Sequence, residues 1–203
     1  MQPIILGESG SGSWEGTTSG GLTIAAATDA GFNYKPVNED RIVIGDDFAA
    51  VIDGMGGHSG GGRAAQIVAE EIASTPADMP GALHRASKRM QEECARDSLS
   101  GHAGACVMIA RVLRDGNALT MQSYQAGDVK RVIAHQRSLL GQRGGPLSFD
   151  ESSDQGLVGS LVASGVITPE EAKTHAYRNV VLNYICKEEP KASYSATNVR
   201  LQH

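Results

Sequence analysis

Arg41 to Gly62 reads RIVIGDDFAAVIDGMGGHSGGG. Two apolar runs, Arg41 to Gly45 and Phe48 to Ile52, flank Asp46-Asp47, and together they predict a β-hairpin. The second run delivers Asp53 to its end, and a glycine-dense loop with six glycines follows, Asp53 to Gly62. Arg63 to Ser74 then takes up helical spacing, with Ala64, Ile67, Val68, Glu71 and Ile72 defining the faces. A carboxylate at a strand end beside unhindered backbone suits a hard cation. Asp53 and the Gly54 carbonyl can face one ion with no Cβ in the way. The plainer alternative is a glycine turn in which Asp53 caps the following helix. A phosphate-cradling loop fits less well, because the Gly-Lys-Ser/Thr ending that supplies a lysine and a hydroxyl is missing.

Working outward, Leu22 to Thr28 (LTIAAAT) reads as a buried strand. Residues 1–21 are rich in Gly and Ser and read as a flexible lead-in, within which Ile4 to Leu6 can still pair at a sheet edge. Pro80 to Ser98 is a second helix. From Ala103 the period changes to two, and Ala105 to Leu113, Ala118 to Gln125 and Lys130 to His135 read as successive strands. The first two are joined by the turn Arg114-Asp115-Gly116-Asn117. Leu157 to Ser164 is a short helix stopped by Gly165. Thr168-Pro169-Glu170-Glu171 opens another, with Thr168 as N-cap and Glu171 closing a capping box. Val180 to Ile185 is a last apolar segment before a polar tail, Lys187 to His203. Strands and helices are segregated, which predicts an α+β domain over 22–203, with antiparallel sheet and helices packed on its outside.

The composition removes several function classes. The chain has 203 residues and a formal net charge of -5, so a basic nucleic-acid-binding surface is not expected. No apolar run approaches the roughly 20 residues of a membrane span, and no signal-peptide pattern opens the chain. Cys94, Cys106 and Cys186 form no CxxC pair and no even-numbered framework, so they read as reduced thiols of a cytoplasmic protein.

Two further acidic features accompany Asp53. Asn38-Glu39-Asp40 stands just before a strand, where adjacent carboxylates must point opposite ways; a charged turn is the plain alternative. Gly127-Asp128 follows a strand in an apolar region, and a buried carboxylate there needs a partner, for which a metal or its waters would serve.

Taken in order, TDAG…NED, VIDGMGGH, GACVMIARVL, QAGDVKR, GLVGSLVASGVITPEEAKTH and AYRNVVL resemble the metal-dependent protein phosphatases, the type 2C Ser/Thr protein phosphatases in their bacterial form. The resemblance runs from about Leu22 to about Ile185. It implies a β-sandwich of two antiparallel sheets flanked by helices, with two Mn²⁺ or Mg²⁺ ions holding the water that attacks a phosphoserine or phosphothreonine. By the same resemblance Asp53 bridges both metals and Gly54 offers its carbonyl. Glu39 and Asp40 hold metal-bound waters, Asp128 serves a third metal, and His58 is the general acid. Asp150 to His175 becomes the flap beside the substrate groove. The implied partners are phosphoproteins and a Ser/Thr kinase with its substrates.

Departures accompany the match. Lys35 stands where the family has a phosphate-gripping arginine, which keeps the charge and loses the bidentate fork; one extra residue lies between Gly31 and Lys35. Val129 replaces a hydroxyl residue, Ala105-Cys106 replaces Thr-Thr, and Cys186 replaces a glycine. The later Ser-Asp-Gly and Asp-Asn motifs, which carry two metal-ligating aspartates, are missing; Thr197-Asn198-Val199 is a poor stand-in for the second. The expectation is therefore a phosphatase fold incomplete at its C-terminal side. Its sheet edges would invite self-association. A catalytically impaired pseudophosphatase, or a fragment acting as a binding module, stands as the alternative to an active enzyme.

Overall fold

The computed structural model describes residues 1–8, 10–31, 37–56, 60–96, 98–116, 118–136, 147–188 and 195–201. Its centre is an antiparallel sheet in the order β1 (Ile4–Leu6), β4 (Asp40–Ile44), β5 (Phe48–Met55), β6 (Gly104–Asp115), β7 (Ala118–Ala126) and β11 (Ser195–Leu201). β7 leaves β6 after the Val107–Ala126 pair, and β10 (Ile185–Cys186) pairs with the edge of β6 at Ala105 and Gly104. Two separate hairpins, β2 (Gly12–Thr17) with β3 (Thr23–Thr28) and β8 (Val132–Gln136) with β9 (Leu147–Glu151), are the remaining strands among the described residues.

Helices α1 (Gly60–Ser74) and α2 (Met79–Ala95) cover one face of the large sheet. The alternation along β5 makes this possible. Phe48, Ala50, Ile52 and Gly54 are buried, while Val51 and Asp53 are exposed. Phe48, Ala50 and Ile52 meet Ile67, Val68 and Ile72 of α1 and Leu83 and Met90 of α2 in one core. Burial of each such side chain contributes roughly 1.5–3 kcal/mol. Asp78 caps α2 by accepting from the Gly81 N–H at 3.0 Å, and Pro80 sits in the first turn, where its missing N–H costs nothing. Arg63 of α1 ties the helices together by donating from Nε to Glu93 Oε2 at 2.9 Å.

On the opposite face the two hairpins flank the middle of the sheet. The β2–β3 hairpin is fixed beside β4 by Thr18 Oγ1 donating to Asp46 O (2.6 Å) and Asn38 Nδ2 donating to Thr28 Oγ1 (2.9 Å). The β8–β9 hairpin is fixed to β7 through Arg131, which donates to Ser123 Oγ at 2.7 Å. Val51, 44% exposed, and Asp53 lie in the uncovered strip on β5. Two short helices, α3 (Leu157–Ala163) and α4 (Pro169–Thr174), pack together beyond β9. The α4 capping box is complete in both directions, with Thr168 Oγ1 accepting from Glu171 N and the Glu171 carboxylate accepting from Thr168 N.

The α+β class, the antiparallel sheet and the flanking helices hold; several local expectations change. Residues 1–21 are not a free lead-in throughout. Ile4–Leu6 pairs at the sheet edge on β4, as expected, and beyond that expectation Gly12–Thr17 pairs with Thr23–Thr28. The latter strand is half exposed rather than buried, because a two-stranded ribbon buries one face only. The third predicted strand starts at Val132 and pairs with β9, an unpredicted strand, instead of extending the β6–β7 meander. Val180 to Ile185 contributes only its last residue to a strand. Among the described residues the second layer of the expected sandwich consists of the two hairpins and not one continuous sheet.

Candidate metal centre

Asp53 stands near the end of β5, and its antiparallel partner on β4 is Asp40. Directly opposed residues project from the same face with Cβ atoms about 5 Å apart. Two carboxylates thus share the face away from the helices, where like charges in register destabilise a sheet unless a cation lies between or beside them. On the other side of Asp53 the register partner is Cys106, which is buried. Asp128 follows β7 and lies against that thiol. Burial chiefly, with the Asp128 and Asp53 carboxylates adding to it, pushes the Cys106 thiol up to about 12, although the Asp128 N–H opposes the shift by hydrogen bonding to sulfur. Asp40, Asp53 and Asp128 therefore line one end of the sheet across four strands.

Glu39 lies on the other side of this row. It is buried, and its carboxylate approaches the first turn of α1, where a Cβ added at Gly61 would lie 3.0 Å from Glu39 Oε1. Gly54 explains why glycines crowd here. A Cβ on Gly54 would lie 2.2 Å from Gly61 O and 2.6 Å from Glu39 O, so three backbone segments meet where only glycine fits. The glycine-dense stretch is thus partly regular structure: β5 runs to Met55 and α1 begins at Gly60, three residues before the helical pattern predicts. Gly127 meets the same constraint from Cys106, with a positive φ of 96° and a Cβ position 2.3 Å from the Cys106 sulfur.

Sequence reasoning missed Arg41. From an apolar strand it turns toward α1, and Nη1 donates to Asn38 O (3.0 Å) and Asp40 O (2.8 Å), with Nε donating to Gln66 Oε1 (2.6 Å). It clamps the backbone that presents Glu39 and Asp40. Its pKa is lowered, chiefly by burial, with Glu8 and Asp40 opposing the shift. An arginine interrupting an inward-facing apolar alternation is the signal that reveals it. Asn38 adds a second clamp, its Oδ1 accepting from the Asp40 N–H at 2.9 Å.

His58 and Lys35 lie outside the described residues. The structure does not bring Thr197 to this end. Thr197 pairs with Ser123, which pairs with Ala110, four positions along β6 from the Cys106 level.

The candidate donors expected from the sequence are all oxygen: the Asp40, Asp53 and Asp128 carboxylates along one end of the sheet, the Glu39 carboxylate toward α1, and the Gly54 carbonyl. That is the ligand class of hard divalent cations such as Mg²⁺ and Mn²⁺. Among the described residues no three His, Cys, Asp or Glu side chains converge closely enough to enclose an ion. A cation bound through one or two carboxylates that keeps several waters fits this arrangement, and Mg²⁺ favours that mode.

No family model matches the chain. Serine/threonine protein phosphatase PstP of Mycobacterium tuberculosis is 29% identical over 186 residues, covering 88% of this chain and 34% of the relative. The crystal structure of M. tuberculosis PstP/Ppp superposes with a TM-score of 0.65 at 21% identity, covering all of this chain and 75% of that one. Stp1 from Staphylococcus aureus superposes with a TM-score of 0.62 at 20% identity, covering 94% and 71%. The chain has the fold of the bacterial PPM Ser/Thr phosphatases. It is related to PstP in sequence as well, and it spans about a third of the length of the curated relatives it matches. One PstP catalytic-domain structure of the same fold holds two manganese ions. No helix among the described residues is long and apolar enough to cross a membrane, and no disulfide joins the three cysteines.

Proposed function

We propose that the chain is a metal-dependent protein serine/threonine phosphatase, hydrolysing phosphoserine and phosphothreonine with a metal-activated water and Mn²⁺ or Mg²⁺ as cofactor. The observation that carries this reading is the Asp40–Asp53 register pair, with Asp128 alongside, at one end of a sheet shared with phosphatases of this fold. In this reading Asp53 and the Gly54 carbonyl hold metal, Glu39 and Asp40 hold metal-bound water, and Asp128 serves a further, weaker ion. Bound divalent ions supply an ionised water and offset charge on the phosphoryl oxygens. The chain's own residues do the rest. Arg41 and Asn38 keep the Glu39–Asp40 backbone in place, and glycines 54 and 61 let that backbone approach. Lys35 attracts the substrate phosphate as a point charge, and His58 gives a proton to the departing serine or threonine oxygen. Phosphoproteins of a Ser/Thr kinase in the cytoplasm are the matching substrates. Self-association through the outer edge of β11 is the matching assembly.

The test is hydrolysis of a phosphothreonine peptide during a Mn²⁺ titration, with binding followed by calorimetry on the same sample. Mn²⁺-dependent turnover is expected, and Asp53→Asn should lower it at least about 100-fold, the upper end of what losing a ligand's supporting partner costs. Wild-type protein that binds the peptide yet releases no phosphate at any Mn²⁺ concentration would refute the enzyme reading and leave a phosphoprotein-binding module.

A further inference from the structure

Arg131 precedes β8 on the face that also carries Asp53, at the junction of β7, β9 and β11. Its side chain is only 9% exposed. Nη1 donates to Ser123 Oγ at 2.7 Å and Nη2 to Asp150 Oδ1 at 2.6 Å, while Nε is buried with no hydrogen-bond partner among the described residues. Asp150 is the cation's one ion-pair partner among those residues, and its side chain is half exposed. A pair with one partner in water recovers little of the cost of desolvating a guanidinium. Beside the guanidinium lies a cavity of about 240 Å³ whose wall carries the hydroxyls of Ser123, Ser152, Ser153, Ser195 and Thr197, with Gln125 and the acidic residues Asp150 and Glu151 completing it. Hydroxyls turn their protons toward an anion at no charge cost, and a guanidinium offers a fork matched to two oxygens of a tetrahedral anion.

We propose that this cavity is a binding site for a phosphate-sized oxyanion, separate from the candidate metal centre. The occupant sits against the Arg131 guanidinium and is ringed by the Ser123, Ser195 and Thr197 hydroxyls, and Asp150 swings toward solvent when it enters. Counting two strand spacings and four residues of rise, the cavity lies on the order of 15 Å from Asp53. The site also accounts for Thr197, which the Asp-Asn-Val comparison leaves without a role. Two sources share the required chemistry, free inorganic phosphate and a phosphoryl group on a peptide.

The test is a titration with inorganic phosphate in EDTA, without divalent metal, followed by thermal shift and by calorimetry. It is run on wild type, Asp53→Ala, Arg131→Gln, Thr197→Val and Asp150→Asn. Saturable binding is expected in wild type and Asp53→Ala alike, weakened at least about tenfold by Arg131→Gln, in keeping with a hydrogen bond to a charged group. Thr197→Val, on an edge strand, should weaken it severalfold without lowering the melting temperature of the free protein. Asp150→Asn should tighten it. A monophosphorylated peptide then distinguishes the sources: competition with phosphate at equal or better affinity assigns the site to a phosphorylated chain, and no competition assigns it to the free ion. Absence of saturable binding in wild type would overturn the proposal and leave Arg131 as a clamp on the β8–β9 hairpin. So would binding lost in Asp53→Ala and kept in Thr197→Val and Asp150→Asn. Every arm is read without metal or turnover, so failure here is distinct from failure of the phosphatase reading.

Discussion

Replacing Gly54 with alanine puts a methyl group 2.2 Å from Gly61 O, 2.5 Å from Gly61 C and 2.6 Å from Glu39 O. Reaching an ordinary contact of 3.4 Å requires the nearest atom to retreat by 1.2 Å (3.4 less 2.2). All three obstructing atoms are backbone, in the first turn of α1 and beside β4, so no rotamer change relieves the clash. Overpacking of this kind costs about 1–3 kcal/mol, and a rigid backbone obstruction belongs at about 3. In a domain of this size each kcal/mol moves the melting temperature by about 2–4 °C, so Gly54→Ala should lower it by about 6–12 °C. Gly62→Ala is the internal control. Its Cβ would meet nothing nearer than 3.6 Å and its φ is not positive, so removing glycine entropy from the start of α1 should stabilise by roughly 0.5–1 kcal/mol. Thermal unfolding followed by circular dichroism, without metal, reads both variants. If Gly54→Ala melts within about 2 °C of the parent, or if both glycines respond alike, the close approach of β5 to α1 is not what the glycines serve.

Ile67→Ala should destabilise by about 2–5 kcal/mol in urea unfolding, because the side chain is fully buried between α1 and the sheet and leaves a cavity. Thr168→Ala removes the α4 cap and about 1 kcal/mol of local stability. α4 buries no residue in the core, so hydrogen exchange at residues 169–174 should speed up while the global midpoint stays put. The Cys106 thiol has its folded pKa raised to about 12 from 9.0. The folded state therefore holds a proton that the unfolded state has lost between those values, and stability falls as pH rises through that window, by up to about 1.4 kcal/mol per unit. Below about pH 9 the group should be silent. Cys106→Ala should flatten the alkaline limb of a stability-against-pH curve; an unchanged slope would refute the assignment. At pH 8 a thiol reagent should modify Cys94 alone, since Cys106 and Cys186 are buried.

Much of the fold was legible because its signals are local. The β4–β5 hairpin follows from two apolar runs around Asp46-Asp47, and α4 follows from four residues of capping chemistry whose partners lie within one turn. β9 was not legible, because LSFDE has weak alternation and becomes a strand only through its pairing with β8. The lead-in was misread for a related reason. Gly-Ser composition predicts flexibility, yet Gly12–Thr17 gains partners from Thr23–Thr28 that composition cannot reveal.

The same division runs through the site. The sequence by itself determined the identity of the acids and their place at strand ends, since strand period and glycine punctuation are properties of neighbouring residues. It also determined that Asp53 is followed by backbone without side chains. Only the tertiary structure decided that Asp40 stands opposite Asp53, that Asp128 reaches Cys106, that Arg41 clamps the Glu39–Asp40 backbone, and that Thr197 sits beside Arg131 and far from the acids. The reason is register. A slip of one residue between two strands leaves each strand's composition and period unchanged, yet it turns a carboxylate from one face of the sheet to the other.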